Sequence, residues 1–200
     1  MKVEFVNTLF SSIIRMINGE KWYWKSWYFI RYNSLRFFKN IWLFRKDLYN
    51  YQWYSGQHAV LPFMQTAIID IAVNIDKRGN EIEESKSKKV MKMRRAAKLM
   101  QHFIDDDFIN LAEYELGNII HRDWEFENAP NQPGYYYFID TNTPEENAHN
   151  SKVFERAQLI EESMWAELWD ILKGQDYTLF NKESEWNSQF DGSGLRGWWD

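Results

Sequence analysis

Apolar residues recur at spacings of three and four along most of the chain, the period of an amphipathic helix. Over residues 3–17, Val3, Val6, Leu9, Phe10, Ile13, Ile14, Met16 and Ile17 share a face and Gly19 follows as a stop, which predicts a short first helix. Residues 21–46 lack glycine and proline and predict one long helix, with Asn33-Ser34 as its weakest point. From Asp47 the pattern predicts a helical hairpin that closes at residue 117. Pro62 kinks its first arm, and Asp76-Lys77-Arg78-Gly79-Asn80 forms its turn. The return arm runs from Glu84 to Leu116, with Val90, Met93, Ala97, Met100, Ile104, Phe108 and Leu111 inward and Gly117 just past its end.

Residues 128–142 interrupt this period: Pro130, Pro133 and Gly134 precede a Tyr-Tyr-Tyr-Phe-Ile run, which predicts an irregular connector or a short strand. Thr143-Pro144-Glu145-Glu146 then supplies an N-cap, a proline at the first helical position and a glutamate at the third, the pattern of a capping box. The helix it opens, over 143–174, carries Val153, Phe154, Ala157, Ile160, Met164, Trp165, Leu168, Trp169 and Leu172. The tail, 175–200, contains a Gly-Ser-Gly joint and ends in Trp198-Trp199-Asp200. Two adjacent indoles lose much by staying in water, so the tail is expected to dock on the body. The expected fold is mostly all-α: one helical domain over 1–200, a bundle of antiparallel long helices with a short irregular or β connector near 128–142.

Composition narrows the chemistry. Aromatic residues make up 18% of the chain, so they must build a ring-rich core or cover a binding surface. With no cysteine there can be no disulfide, thiolate nucleophile or Cys-ligated metal site, which suits a reducing cytoplasm. The N-terminus lacks the apolar region of a secretory signal. The longest apolar stretch, 59–75, is broken by Pro62, Gln65, Thr66, Asp70 and Asn74, so no transmembrane helix and no stable membrane insertion are expected.

Charge is unevenly placed within the net of −5. Lys21, Lys25, Arg31, Arg36, Lys39, Arg45 and Lys46 form one basic run with no acid among them, and Lys86, Lys88, Lys89, Lys92, Arg94, Arg95 and Lys98 form a second. The rest of the chain from Asp47 onward is strongly acidic. Either run can pair with that acidic body or offer an anion-binding surface.

Enzyme signatures are missing: there is no phosphate-binding Gly-rich loop, no Gly-x-Ser-x-Gly elbow and no His-Glu-x-x-His. One Glu-x-x-His occurs, Glu146 to His149, where a dimetal bundle needs two such motifs plus further carboxylates. His102 with Asp105 and Asp106, and His121 with Asp123 and Glu125, read as ordinary in a chain this rich in acids. Glu167-x-x-Asp170 resembles half of the metal-binding pattern of all-α nucleotide pyrophosphohydrolases, but no partner helix with paired acids stands beside it. No catalytic residue, metal site or cofactor is assigned.

The segment 21–46 carries more information. On an α-helical wheel, Tyr23, Trp24, Trp27, Ile30, Phe37, Phe38, Ile41, Trp42 and Phe44 share a face expected to join the core, with Arg31 and Arg45 projecting from it. The opposite arc interleaves cations with rings, and Lys21, Lys25, Tyr28, Tyr32, Arg36 and Lys39 are the candidate binding residues. Cations neutralise phosphates while ring faces stack on bases. The same arc suits packing within the fold or an oligomer, or an anionic membrane surface.

The block from Trp42 to Leu116, with its FRKDLYNYQWY start, IDKRGNEIEES turn and RRAAKLMQHFIDDDF return, together with the LRGWWD ending, resembles a group of small tailed-phage proteins. The resemblance implies a phage origin and residence in the cytoplasm of a bacterial host, and it assigns no site. Together with the surface chemistry it suggests a non-enzymatic binding protein that captures an anionic, nucleotide-like ligand, for instance a counter-defence sponge for a nucleotide signal of host immunity. The competing expectation is an interaction or structural module that binds a host or phage protein through exposed aromatics. A homo-oligomer is a separate expectation.

Overall fold

The computed structural model describes residues 26–123, 125–130, 134–139, 141–175 and 190–198. The first helix expected over 3–17 lies outside them, as do Lys21, Lys25 and Trp199. The chain divides into two compact units, Met1–Tyr54 and Ser55–Asp200.

In the first unit the chain is helical from residue 26, widens into a π-helical stretch at Phe29–Ser34, and continues as α1 (Leu35–Leu43) and α2 (Arg45–Tyr49). The helix does not break at Asn33-Ser34. Instead the Leu35 N–H reaches back to the Ile30 carbonyl, one residue further than in an α-turn, and the path continues. The apolar face expected to join the core is not buried: Trp27, Ile30, Phe38, Ile41 and Trp42 are exposed, and Phe37 and Phe44 are half-buried. None of the described residues of this unit is buried.

The second unit is built on an antiparallel hairpin of α3 (Gly56–Arg78) and α4 (Glu83–Asp105). Along α4 the buried stripe is Val90, Met93, Ala96, Ala97, Leu99, Met100 and Phe103, and α3 covers it with Leu61, Ile68, Ala72 and Ile75. Gln65 of α3 fixes the pairing by donating to the Ala97 carbonyl at 2.9 Å and to Gln101 Oε1 at 2.9 Å, and Gln57 donates to the Phe103 carbonyl. By length and composition α3 could cross a membrane. Its inward residues nevertheless form the core of this hairpin.

The return arm is not one helix to Leu116. It stops at Asp105, Asp106 adopts a left-handed conformation (φ 49°, ψ 47°), and α5 (Phe108–Leu116) restarts after Asp107. Asp is a weak helix former and tolerates the left-handed region better than most residues, so Asp106 can end the helix here. The break places the Phe108 ring 5.2 Å from that of Phe103, inside the core.

Two short antiparallel strands follow, β1 (Glu125–Asn128) and β2 (Tyr136–Ile139), with Phe126 opposite Phe138. The capping box forms as its residues require: Thr143 Oγ1 accepts from the Glu146 N–H at 3.2 Å, and Glu146 Oε2 accepts from the Thr143 N–H at 2.7 Å. It opens α6 (Pro144–Lys173), which packs on α4 and α5 and buries Val153, Ala157, Leu168 and Ile171. The protein is therefore all-α, with one short strand pair among the described residues.

The tail returns to this body. Trp198 is 5% exposed within the core, and its indole N–H donates to the Gly192 carbonyl at 2.9 Å. Gly194 N–H bonds the Ile171 carbonyl at the end of α6 (2.8 Å). Gly192 sits at φ +86°, where an added Cβ would stand 2.3 Å from the Lys88 backbone carbonyl, so only glycine allows this approach to α4. Trp198→Ala should cost about 3–5 kcal/mol in urea unfolding. A loss below about 1 kcal/mol would show that the docked tail adds little to the second unit.

Candidate anion-binding surface

The two basic runs of the sequence have different fates. On α4, six of the seven cations meet carboxylates: Lys86 with Glu83, Lys88 with Glu84, Lys89 with Glu81, Lys92 with Asp191, Arg94 with Asp76 and Arg95 with Glu167. The last three link α4 to the tail, to α3 and to α6. Arg95 is bidentate, its Nε and Nη2 at 2.7 and 2.6 Å from the two Glu167 oxygens. That bonding holds the Glu167 carboxyl below its ordinary range and raises the Arg95 guanidinium. Asp191 is pushed up by burial, yet the Ser193 hydroxyl and N–H and the Lys92 ammonium bring it below the usual carboxylate range on balance.

Arg31, Arg36, Lys39 and Lys46 of the first run have no acidic partner among the described residues of the first unit. Arg31, Arg36 and Lys39 line one open hollow with Tyr32, Leu35 and Asn40. All six of these side chains are exposed. The Tyr28 ring lies 4.4 Å from the Tyr32 ring at 33°, extending the strip by one helical turn. The Arg31 guanidinium lies 5.6 Å from the Tyr32 centroid. Four of the six expected residues, Tyr28, Tyr32, Arg36 and Lys39, therefore fall on one strip.

Arg31 is the residue that the wheel misplaces. An α-helical projection puts it on the apolar face, whereas the wider turn at Phe29–Ser34 takes up one extra residue and rotates the phase. Arg31 thereby joins Arg36 and Lys39. Arg45 is engaged locally, with its guanidinium 4.1 Å from the Trp42 ring and donating to the Trp42 carbonyl at 2.5 Å.

The other candidate chemistry is occupied by structural bonds. Glu146 belongs to the capping box and also takes Arg122 at 2.6 Å, so the Thr143 N–H first and Arg122 second hold its carboxyl low. His149 Nε2 faces the Asn118 carbonyl at 3.1 Å. The next residue, the buried Asn150, accepts from the Ile120 N–H and donates to the Ile120 carbonyl, both at 2.9 Å, pinning the connector before β1. His102 pairs with Asp107 at 2.9 Å rather than with Asp105 or Asp106. Among the described residues no group of three or more potential metal ligands comes together.

No family model, curated protein or solved structure matches this chain.

The ion pairs generate a pH dependence. The folded-state carboxyls of Glu115, Glu146, Glu167 and Asp191 lie below their unfolded values. Their contribution is thus complete above the usual glutamate value of 4.5 and is lost as pH falls through the lower folded values. Glu167→Gln should lower stability at pH 7 and cost clearly less at pH 3, as read by urea unfolding at both. An equal cost at the two pH values would contradict a charged Arg95–Glu167 bridge.

Proposed function

We propose that the protein is a non-enzymatic binding protein whose strip of Tyr28, Arg31, Tyr32, Arg36 and Lys39 captures a phosphate-bearing ligand. One observation carries this reading. In a chain where the α4 cations are almost all matched by carboxylates, Arg31, Arg36 and Lys39 converge on one exposed hollow that no acid lines among the described residues. Unpaired like charges side by side repel, and an anion that spans them relieves that repulsion. Arginine suits the task because its planar fork bonds two phosphate oxygens at once. Exposed rings beside the cations add a stacking platform for a base, the arrangement by which a nucleotide-like ligand would be held.

A second reading has its own support. Phe126, Tyr135, Tyr136, Tyr137 and Phe138 are all exposed on the β1–β2 ribbon. A two-stranded ribbon is marginal alone, and exposed rings are the usual anchors of protein interfaces. Interaction with a protein would use this ribbon rather than the cationic strip.

The two readings separate on charge. Arg36→Glu with Lys39→Glu should reduce binding of ATP by more than about tenfold and leave the helical circular dichroism spectrum intact, because exposed charges rarely move stability beyond about 0.5 kcal/mol. Wild-type binding should also weaken steeply as salt rises. Binding that survives both the charge reversal and high salt would remove the strip from the site.

A further inference from the structure

The phosphate that this strip meets can be specified further. We infer, on the premise that the strip captures phosphate, that its partner is the surface of an anionic phospholipid bilayer, with α1 lying in the interface.

The hollow itself argues against a small enclosed ligand. Its described lining comes from residues 31–40, all exposed, whereas a small-molecule site buries most of its ligand between several walls. The other side of α1 supplies the positive evidence. Phe38, Ile41 and Trp42 are exposed there, Phe38 by 65% and Trp42 by 68%, although they form a continuous apolar face. Bases can stack on rings but gain little from Ile41. An acyl-chain boundary accepts rings and aliphatic chains alike.

α1 thus joins an apolar face rich in Phe, Ile and Trp to a polar face of Arg36, Lys39 and Asn40, the division expected of a helix lying in a membrane interface. No acid occurs from residue 21 to 46 to oppose an anionic leaflet. Beyond α1, Tyr49, Tyr51, Trp53 and Tyr54 are all exposed, and Tyr and Trp are the residues that settle at headgroup depth. Charge complementarity and the uncovered apolar face therefore converge on the same partner. This is a helix lying on the bilayer, distinct from a span across it.

The test uses the full chain. Vesicles of 40 mol% phosphatidylglycerol in phosphatidylcholine are compared with pure phosphatidylcholine vesicles, and ATP and a single-stranded 20-mer serve as free-phosphate probes. The wild type should sediment with the anionic vesicles at least about tenfold more strongly than with neutral ones, and brominated acyl chains should quench its tryptophan emission. Phe38→Ser with Trp42→Ser should cut vesicle binding by about tenfold, removing apolar contact without changing charge. Vesicle binding that this variant leaves unchanged, or that occurs without quenching, overturns the proposal, and the quenching arm needs no variant. Capture of ATP or of the 20-mer without vesicle binding also overturns it while leaving the phosphate-capture reading intact. Binding to none of the probes overturns both.

Discussion

The contact on which the second unit depends is the buried stripe of α4, from Val90 to Phe103, closed on one side by α3 and on another by α6. Met93, Ala96, Leu99, Met100 and Phe103 are fully excluded from water, so this seam supplies the main apolar burial. Because one stripe faces the core, the cations of the same helix must emerge along its flanks. There they meet Asp76 of α3, Glu167 of α6 and Asp191 of the tail. The basic run on α4 is thus a consequence of packing: each flank is positive where its neighbour is negative.

That arrangement gives the unmatched cations of residues 26–46 their significance. A basic residue on a helix ordinarily needs no explanation, since water or a nearby acid satisfies it. Here a single chain contains both outcomes. Of two runs of seven cations, the one on α4 is almost fully paired, whereas Arg31, Arg36 and Lys39 have no acidic partner among the described residues of their own unit. The first unit also leaves its apolar face exposed, so charge and hydrophobicity are both displayed on one short helical path.

Much of the second unit was legible in the sequence because its determinants are local. The Thr143–Glu146 capping box needs only four residues, the α3–α4 hairpin follows from apolar spacing, and the strand pair follows from the prolines and glycine before Tyr135. Burial of Trp198 followed from the cost of hydrating an indole. Its place on the body did not, because it depends on Gly192 approaching the Lys88 backbone across about a hundred residues of chain. The break at Asp106 was equally hidden: periodicity continues through it, and the reason to stop is the meeting of Phe103 with Phe108 in three dimensions. In the candidate site the wheel placed Tyr28, Tyr32, Arg36 and Lys39 on one strip and lost Arg31, since a constant turn angle cannot anticipate a π-helical stretch. It also assigned Trp27, Phe38 and Trp42 to a core, because periodicity shows that a face is apolar without showing what covers it.

The central claim is that one set of cations is structural and the other available, and amine reactivity reads this directly. Brief acylation of the native protein, quantified residue by residue by mass spectrometry, compares Lys39 on the exposed strip with Lys89, which is 7% exposed and bonded to Glu81. The account predicts that Lys39 is modified at the rate of a free peptide lysine, while Lys89 lags at least about tenfold until urea unfolds the second unit. Equal rates for the two lysines in the native protein, or protection of Lys39 comparable to that of Lys89, would contradict it.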